Sequence, residues 1–79
     1  MLKVSVFAQL KEYFNAGIEL PATAGQTVSQ VLEQLKHTNP DAAPILDSSR
    51  VAVNDEMVDL KHIIEGNEHI YIFPPSSGG

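Results

Sequence analysis

The chain has 79 residues, which is near the lower limit for a single domain with its own hydrophobic core. It has no cysteine, which excludes disulfides, thiolate metal sites and cysteine nucleophiles. Ten acidic and five basic residues give a formal net charge of −5, which disfavours nucleic acid and anionic membrane surfaces as partners.

The beginning of the chain is predicted to form two short strands joined by a helical turn. Apolar residues first recur at every second position, which is the period of a half-buried strand. The spacing of Leu10 and Phe14 then puts both side chains on one face of a helical turn, with Gly17 as its stop. Ile18 and Leu20 flank a glutamate in the second strand.

The clearest helix of the sequence begins at a capping box. Thr27 and Gln30 have the spacing in which each side chain satisfies a backbone donor of the first turn. Apolar residues then recur along one face of the helix, at Val28, Val31, Leu32 and Leu35. Asn39 and Pro40 are predicted to end it, because the residue before a proline disfavours helical geometry.

A hairpin is predicted after the helix. A strand ends at Val53, and Asn54 and Asp55 are residues that tight turns favour. The apolar residues Val58 and Leu60 then form the returning strand.

Three segments complete the prediction. Residues 41–49 form a loop with a turn of helix at Pro44, Ile45 and Leu46. Residues 61–66 form another helical turn, with either Ile63 or Ile64 pointing inward. Residues 69–73 alternate as the last strand.

The order of elements, β, β, α, β, β, β, is typical of the α+β class, with one main helix packed against a sheet. Alternation along the strands puts one apolar set on the face toward the helix: Val4, Val6, Val53, Val58, Ile70 and Ile72. It puts a second set on the opposite face: Phe7, Met57, Tyr71 and Phe73. Large apolar side chains on the solvent side of a small sheet indicate a docking surface for a partner.

No motif predicts a metal site or a bound cofactor. Asp59, His62 and Glu65 span the boundary between a strand and a turn, where a solvated turn is the simpler interpretation. There is no glycine-rich phosphate loop, so we do not expect the chain to bind ATP by itself. No apolar run has the length of a membrane span, and we expect a cytoplasmic protein.

The segment IYIFPPSSGG combines an apolar strand, two prolines, two serines and a diglycine. Consecutive prolines favour an extended conformation, which loses less entropy when a tail inserts into a partner. Glycine has no Cβ, so Gly78 and Gly79 form the thinnest end that a chain can present to a narrow active site. We therefore divide the chain into a domain, residues 1–73, and a flexible tail, residues 74–79.

Three segments give the chain a resemblance to a known family: VSVFAQLKEYF near the start, VAVND in the hairpin, and FPPSSGG. On these residues the chain resembles the ubiquitin-like β-grasp sulfur carriers of the MoaD/ThiS superfamily, most closely the molybdopterin synthase small subunit (the MoaD type). The resemblance implies a mixed sheet packed on one main helix, which agrees with the element order above.

The resemblance also implies a carrier function rather than catalysis by the chain alone. An ATP-dependent adenylating enzyme (MoeB type) would activate the carboxylate of Gly79, and a sulfur donor would convert it to a thiocarboxylate. The tail residues Pro74, Pro75, Ser76, Ser77 and Gly78 would insert into the synthase large subunit (MoaE type). Phe7, Met57, Tyr71 and Phe73 would then lie at the partner interface. A heterotetramer with two large subunits is the implied assembly.

Three alternatives stay open on the sequence. Carriers for thiamine synthesis, tRNA thiolation and cysteine biosynthesis share the diglycine and its activation chemistry. A ubiquitin-like protein modifier would use the same activated Gly79 to acylate lysines on target proteins. A plain binding domain would leave both the tail and the exposed sheet face without a role.

Overall fold

Five strands form one mixed sheet in the computed structural model of the protein, among the residues that it describes, 1–15, 17–21 and 25–75. The strands are β1 (Leu2–Val6), β2 (Gly17–Leu20), β3 (Arg50–Val53), β4 (Glu56–Val58) and β5 (His69–Phe73). Their order across the sheet is β2-β1-β5-β3-β4. The central pair β1 and β5 is parallel, and the other neighbouring pairs are antiparallel.

The predicted α+β class is confirmed, because one long helix, α2 (Val28–Thr38), covers one face of this sheet. The residues between sheet and helix are almost completely buried, and they include Leu2, Val4, Val6, Val28, Val31, Leu35, Val53, Ile70 and Ile72. The alternation of the strands therefore predicts the inward face correctly. No helix among the described residues is long and apolar enough to cross a membrane.

The turn after β1 buries the two side chains predicted from their spacing. A 3₁₀ turn (Ala8–Leu10) leads into α1 (Lys11–Phe14), and these elements place Leu10 and Phe14 in the core. The helix ends at Asn15, whose φ of 59° is positive, which is uncommon for a residue other than glycine.

The prediction that Gly17 stops this helical turn is wrong. Gly17 is the first residue of β2 and pairs with Ser5 of β1. A Cβ at this position would lie 2.7 Å from the carbonyl oxygen of Val4, which is closer than real side chains approach a backbone oxygen. The glycine is therefore needed for the close approach of the two strands rather than for a helix end.

The capping box at the start of α2 is present in full. The backbone N–H of Gln30 donates to Thr27 Oγ1 over 3.2 Å, and the backbone N–H of Thr27 donates to Gln30 Oε1 over 2.8 Å. At the other end, the backbone N–H of Asn39 donates to the carbonyl of Leu35, and the backbone N–H of Asp41 donates to Oδ1 of Asn39. Both predicted ends of the helix are confirmed.

Replacing Thr27 with alanine should lower the free energy of unfolding by about 1 kcal/mol, because one N–H of the first turn loses its acceptor. Urea unfolding followed by circular dichroism would measure this difference. Ser29→Ala is the matched control, since Ser29 is exposed in the same turn and outside the capping box. Equal unfolding midpoints for Thr27→Ala and the wild type would contradict the role given to the cap.

The segment after α2 is more helical than predicted. A 3₁₀ turn (Pro40–Ala42) continues into α3 (Ala43–Asp47), which buries Leu46. Lys36 of α2 forms ion pairs with Asp47 of α3 and with Glu33. The hydrogen bond that the Lys36 ammonium donates to the Asp47 carboxylate raises the pKa of Lys36 above its ordinary value of 10.5. The stabilisation from the Lys36–Asp47 pair is therefore complete below pH 10.5, and it is lost as the pH rises through the elevated pKa of Lys36.

The hairpin of β3 and β4 has the predicted turn, with φ values of 48° at Asn54 and 74° at Asp55. Two positive values in succession define the turn that matches the twist of a two-residue hairpin. The returning strand is shorter than predicted, because β4 ends at Val58. Leu60 is 52% exposed, in the turn that follows.

Residues 61–66 do not form the predicted helical turn. The carbonyls of Leu60 and His62 accept hydrogen bonds from backbone N–H groups in the first turn of α2. Ile63 forms an isolated β-bridge with Thr27 and is exposed, whereas Ile64 is buried. The carbonyls of Leu60 and His62 are therefore the acceptors for N–H groups that the start of α2 cannot pair within the helix, and residues 61–66 form no helical turn of their own.

Candidate functional site

The four side chains predicted to face away from the helix lie together on the outer face of the sheet. Ala52 of β3 pairs with Tyr71 of β5 on one side and with Met57 of β4 on the other. Directly paired residues share a face, so all three side chains point the same way. Phe7 and Phe73 join them through ring stacking. We name Phe7, Met57, Tyr71 and Phe73 the aromatic patch.

Ring stacking holds the centre of the aromatic patch. The centroids of Phe7 and Phe73 are 4.9 Å apart with an interplanar angle of 7°, and those of Phe7 and Tyr71 are 6.3 Å apart with an angle of 21°. Such pairs add roughly 0.5–1.5 kcal/mol beyond the area they bury. The stacked rings restrain one another, so they would lose little conformational freedom if a partner packed against them.

The aromatic patch lines an open groove of about 400 Å³. Ala52 and Asp55 complete its lining. Met57 is 57% exposed and Phe73 is 38% exposed, although both are large apolar residues. A groove with stacked rings, a flexible methionine and one carboxylate has the chemistry to accept an apolar side chain.

A polar corner adjoins the aromatic patch and was missed in the sequence interpretation. Ser5 Oγ and His69 Nε2 are 2.7 Å apart, and the His69 ring stacks on Tyr71 at 4.2 Å between centroids. The strand alternation that located the aromatic patch also puts Ser5 and His69 on this face. Polar side chains are ordinary on the solvent face of a sheet, so the sequence pattern did not identify these two as part of a site.

The tail leaves the sheet at the edge of the aromatic patch. Phe73 is the last residue of β5. Pro74, which is half-buried, and Pro75, which is exposed, follow it outside the strand. The tail residues Ser76, Ser77, Gly78 and Gly79 lie outside the described residues. The start of the tail and the groove are thus on the same part of the surface.

The described residues include no group of three histidine, aspartate or glutamate side chains placed to hold a metal ion. Asp59 instead shapes a turn: its carboxylate accepts the backbone N–H of Lys61, and its carbonyl accepts that of His62. This geometry supports the interpretation of Asp59 and His62 as parts of a turn.

Comparison with known proteins gives one family for the chain. Residues 4–79 match the ThiS family. The molybdopterin synthase sulfur carrier subunit of Dictyostelium discoideum is 36% identical over 84 aligned positions, which cover 98% of this chain and 94% of that protein.

Solved structures share the fold. The crystal structure of SAMP1 from Haloferax volcanii superposes with a TM-score of 0.83 at 23% identity, covering 99% of this chain and 98% of that one. The solution structure of Urm1 from Trypanosoma brucei gives a TM-score of 0.74 at 13% identity, covering 99% of this chain and 94% of that one. The ubiquitin-like β-grasp fold expected from the resemblance is therefore confirmed.

Proposed function

The chain belongs to the ThiS family, and from this premise we propose that it is the sulfur-carrier small subunit of a molybdopterin synthase. The observation that carries the proposal is the similarity to the Dictyostelium discoideum sulfur carrier subunit over nearly the whole length of both proteins. The aromatic patch beside the start of the tail supports it, because a carrier must dock while its tail reaches into the partner.

The reacting group in this proposal is the carboxylate of Gly79. One carboxylate oxygen attacks the α-phosphorus of ATP in the adenylating enzyme (MoeB type), and pyrophosphate leaves. Sulfide (HS⁻) delivered by the sulfur donor then attacks the acyl carbon and AMP leaves, and loss of the sulfhydryl proton gives the thiocarboxylate. Adenylation is needed because a carboxylate is a poor acylating agent, whereas AMP is a good leaving group. ATP belongs to the activating enzyme, and the chain itself binds no cofactor.

The chain contributes binding and reach rather than catalysis. Pro74 and Pro75 give the tail an extended start, and Ser76, Ser77 and Gly78 continue it into the large subunit (MoaE type). There the thiocarboxylate transfers its sulfur to a pterin precursor of the molybdenum cofactor. The assembly is a heterotetramer with two large subunits at its centre, in the cytoplasm where ATP is available.

The aromatic patch serves as the interface with the large subunit and, at another stage, with the adenylating enzyme. Both partners must accept the same tail, so both are expected to dock on the face from which the tail leaves. The net charge of −5 favours partners with basic residues around their docking sites.

Intact-mass spectrometry after incubation with an adenylating enzyme, ATP and a sulfur source tests the carrier chemistry. The expected result is a mass gain equal to the exchange of one oxygen for one sulfur, located at Gly79. The same incubation without ATP is the control and should leave the mass unchanged.

Genetic rescue then tests the pathway. The gene should restore molybdoenzyme activity to a strain that lacks its own small subunit, and should not restore growth without thiamine to a thiamine-carrier mutant. Rescue of only the thiamine mutant would favour a thiamine carrier. Gly79 joined to lysines of other proteins, without any thiocarboxylate, would favour the modifier function.

A further inference from the structure

Arg50 lies on the outer face of the sheet, beside the point where the tail begins. It is the first residue of β3 and pairs directly with Phe73, the last residue of β5. Since paired residues share a face, Arg50 is on the same side of the sheet as the aromatic patch. Its side chain is exposed, and the chain continues from its neighbour Phe73 into Pro74.

The ion pairing of Arg50 differs from that of Lys36. Lys36 is held by Asp47 and Glu33, whereas no carboxylate side chain of the described residues lies within ion-pair distance of Arg50. Acidic side chains outnumber basic ones two to one, ten against five. Within the described part of the chain this guanidinium has no ion pair, so it is available to an anion supplied by a partner.

The hairpin end of the outer sheet face carries the opposite charge. Asp55 lines the groove at the hairpin turn. Four strand steps separate Arg50 from the start of that turn, a distance of about 13 Å at about 3.3 Å per residue. This exceeds the Debye length of about 8 Å at physiological ionic strength, so a partner senses the two charges separately.

We propose that Arg50 is a specificity-determining residue of the docking face, which pairs with a carboxylate that the partner places beside the entrance for the tail. The partner that fits has an apolar centre for the aromatic patch, an acidic residue near the tail and a basic residue near Asp55. This polarity allows one orientation of docking and disfavours the reversed one, in which like charges meet. The inference rests on the proposed function, which supplies the partner.

The test measures the affinity and association rate of the carrier for the synthase large subunit. Arg50→Glu should weaken binding roughly tenfold, mainly through slower association, because it replaces an attraction with a repulsion. Arg50→Gln should weaken it about threefold to fivefold, which is the upper range for an exposed ion pair of about 1 kcal/mol. Arg50→Lys keeps the charge and should retain most of the affinity.

Lys61→Glu is the matched control because it changes the net charge by the same amount. Lys61 is exposed in the turn between Leu60 and His62, whose carbonyls bond to the start of α2 on the helix side of the sheet. At about 1 M salt, where the Debye length is about 3 Å, Arg50→Glu and the wild type should approach the same affinity. Thermal unfolding of each variant verifies that its fold is intact.

The outcomes separate this inference from the function on which it rests. Equal effects of Arg50→Glu and Lys61→Glu would overturn the inference and leave the carrier function intact. A wild-type chain that does not bind the large subunit would overturn the proposed function, and the inference with it.

Discussion

Deletion of Gly79 should abolish sulfur transfer by the chain and leave its fold intact. The proposed chemistry takes place at the terminal carbonyl, and removal of one residue moves that carbonyl by about 3.5 Å along an extended tail. Displacement of a reacting atom by about 1 Å already costs on the order of a hundredfold in rate. The measurement is single-turnover sulfur transfer to the pterin precursor, with circular dichroism to verify the fold.

Two further variants separate the length of the tail from the identity of its end. Deletion of Ser77 shortens the tail by one residue and keeps the diglycine, so it should also prevent transfer if reach is decisive. Gly79→Ala keeps the length and adds a Cβ, so it should prevent transfer if the entrance of the active site admits only glycine. Normal transfer by the Gly79 deletion would rule out the proposed chemistry.

A carboxylate placed on the aromatic patch should weaken docking to the large subunit at least about thirtyfold. Met57→Asp puts a charge where the partner has to remove water from an apolar groove. Truncating a residue at the centre of an interface costs about 2 kcal/mol or more, and a charge adds its own desolvation cost. Isothermal titration calorimetry with the purified large subunit measures the change.

Ile63→Asp is the control for this substitution. Ile63 is 51% exposed and Met57 is 57% exposed, so each substitution replaces an apolar side chain of similar exposure with a carboxylate. Ile63 forms a bridge with Thr27 at the start of α2, away from the outer face of the sheet. Ile63→Asp should bind like the wild type. Similar losses for both variants would mean that docking depends on overall charge rather than on the aromatic patch.

Local sequence signals predict most of this fold because they act within a few residues. The strand alternation places Val4 and Val6 in the core and locates the aromatic patch on the opposite face. The Thr27 capping box identifies the start of α2, and the Asn54-Asp55 pair identifies the hairpin turn. Each of these signals depends on backbone geometry or on a side chain close in sequence.

The predictions that failed depend on contacts between distant residues. The role of Gly17 is decided by the carbonyl of Val4 on the neighbouring strand. The conformation of residues 61–66 is decided by N–H groups of α2, which use the carbonyls of Leu60 and His62 as acceptors. A pattern of apolar residues contains no information about such partners, so the segment looked helical in isolation.

The same limit applies to the candidate site. Arg50 is an ordinary charged residue in the sequence, at the edge of a predicted strand. Its position beside the tail follows from the register of β3 and β5, which pairs Arg50 with Phe73. Register depends on the whole sheet, and for this reason the aromatic half of the docking face could be predicted while its charged corner could not.

The central position of β5 has a consequence for the synthesis of the protein. β5 lies between β1 and β3 and pairs with both, and it is the last described strand to be made. A nascent chain that ends before His69 lacks the strand that joins the β1–β2 pair to the β3–β4 pair, and it lacks two rings of the aromatic patch. Synthesis of β5 therefore completes the sheet and the aromatic patch in the same step, directly before the tail is made.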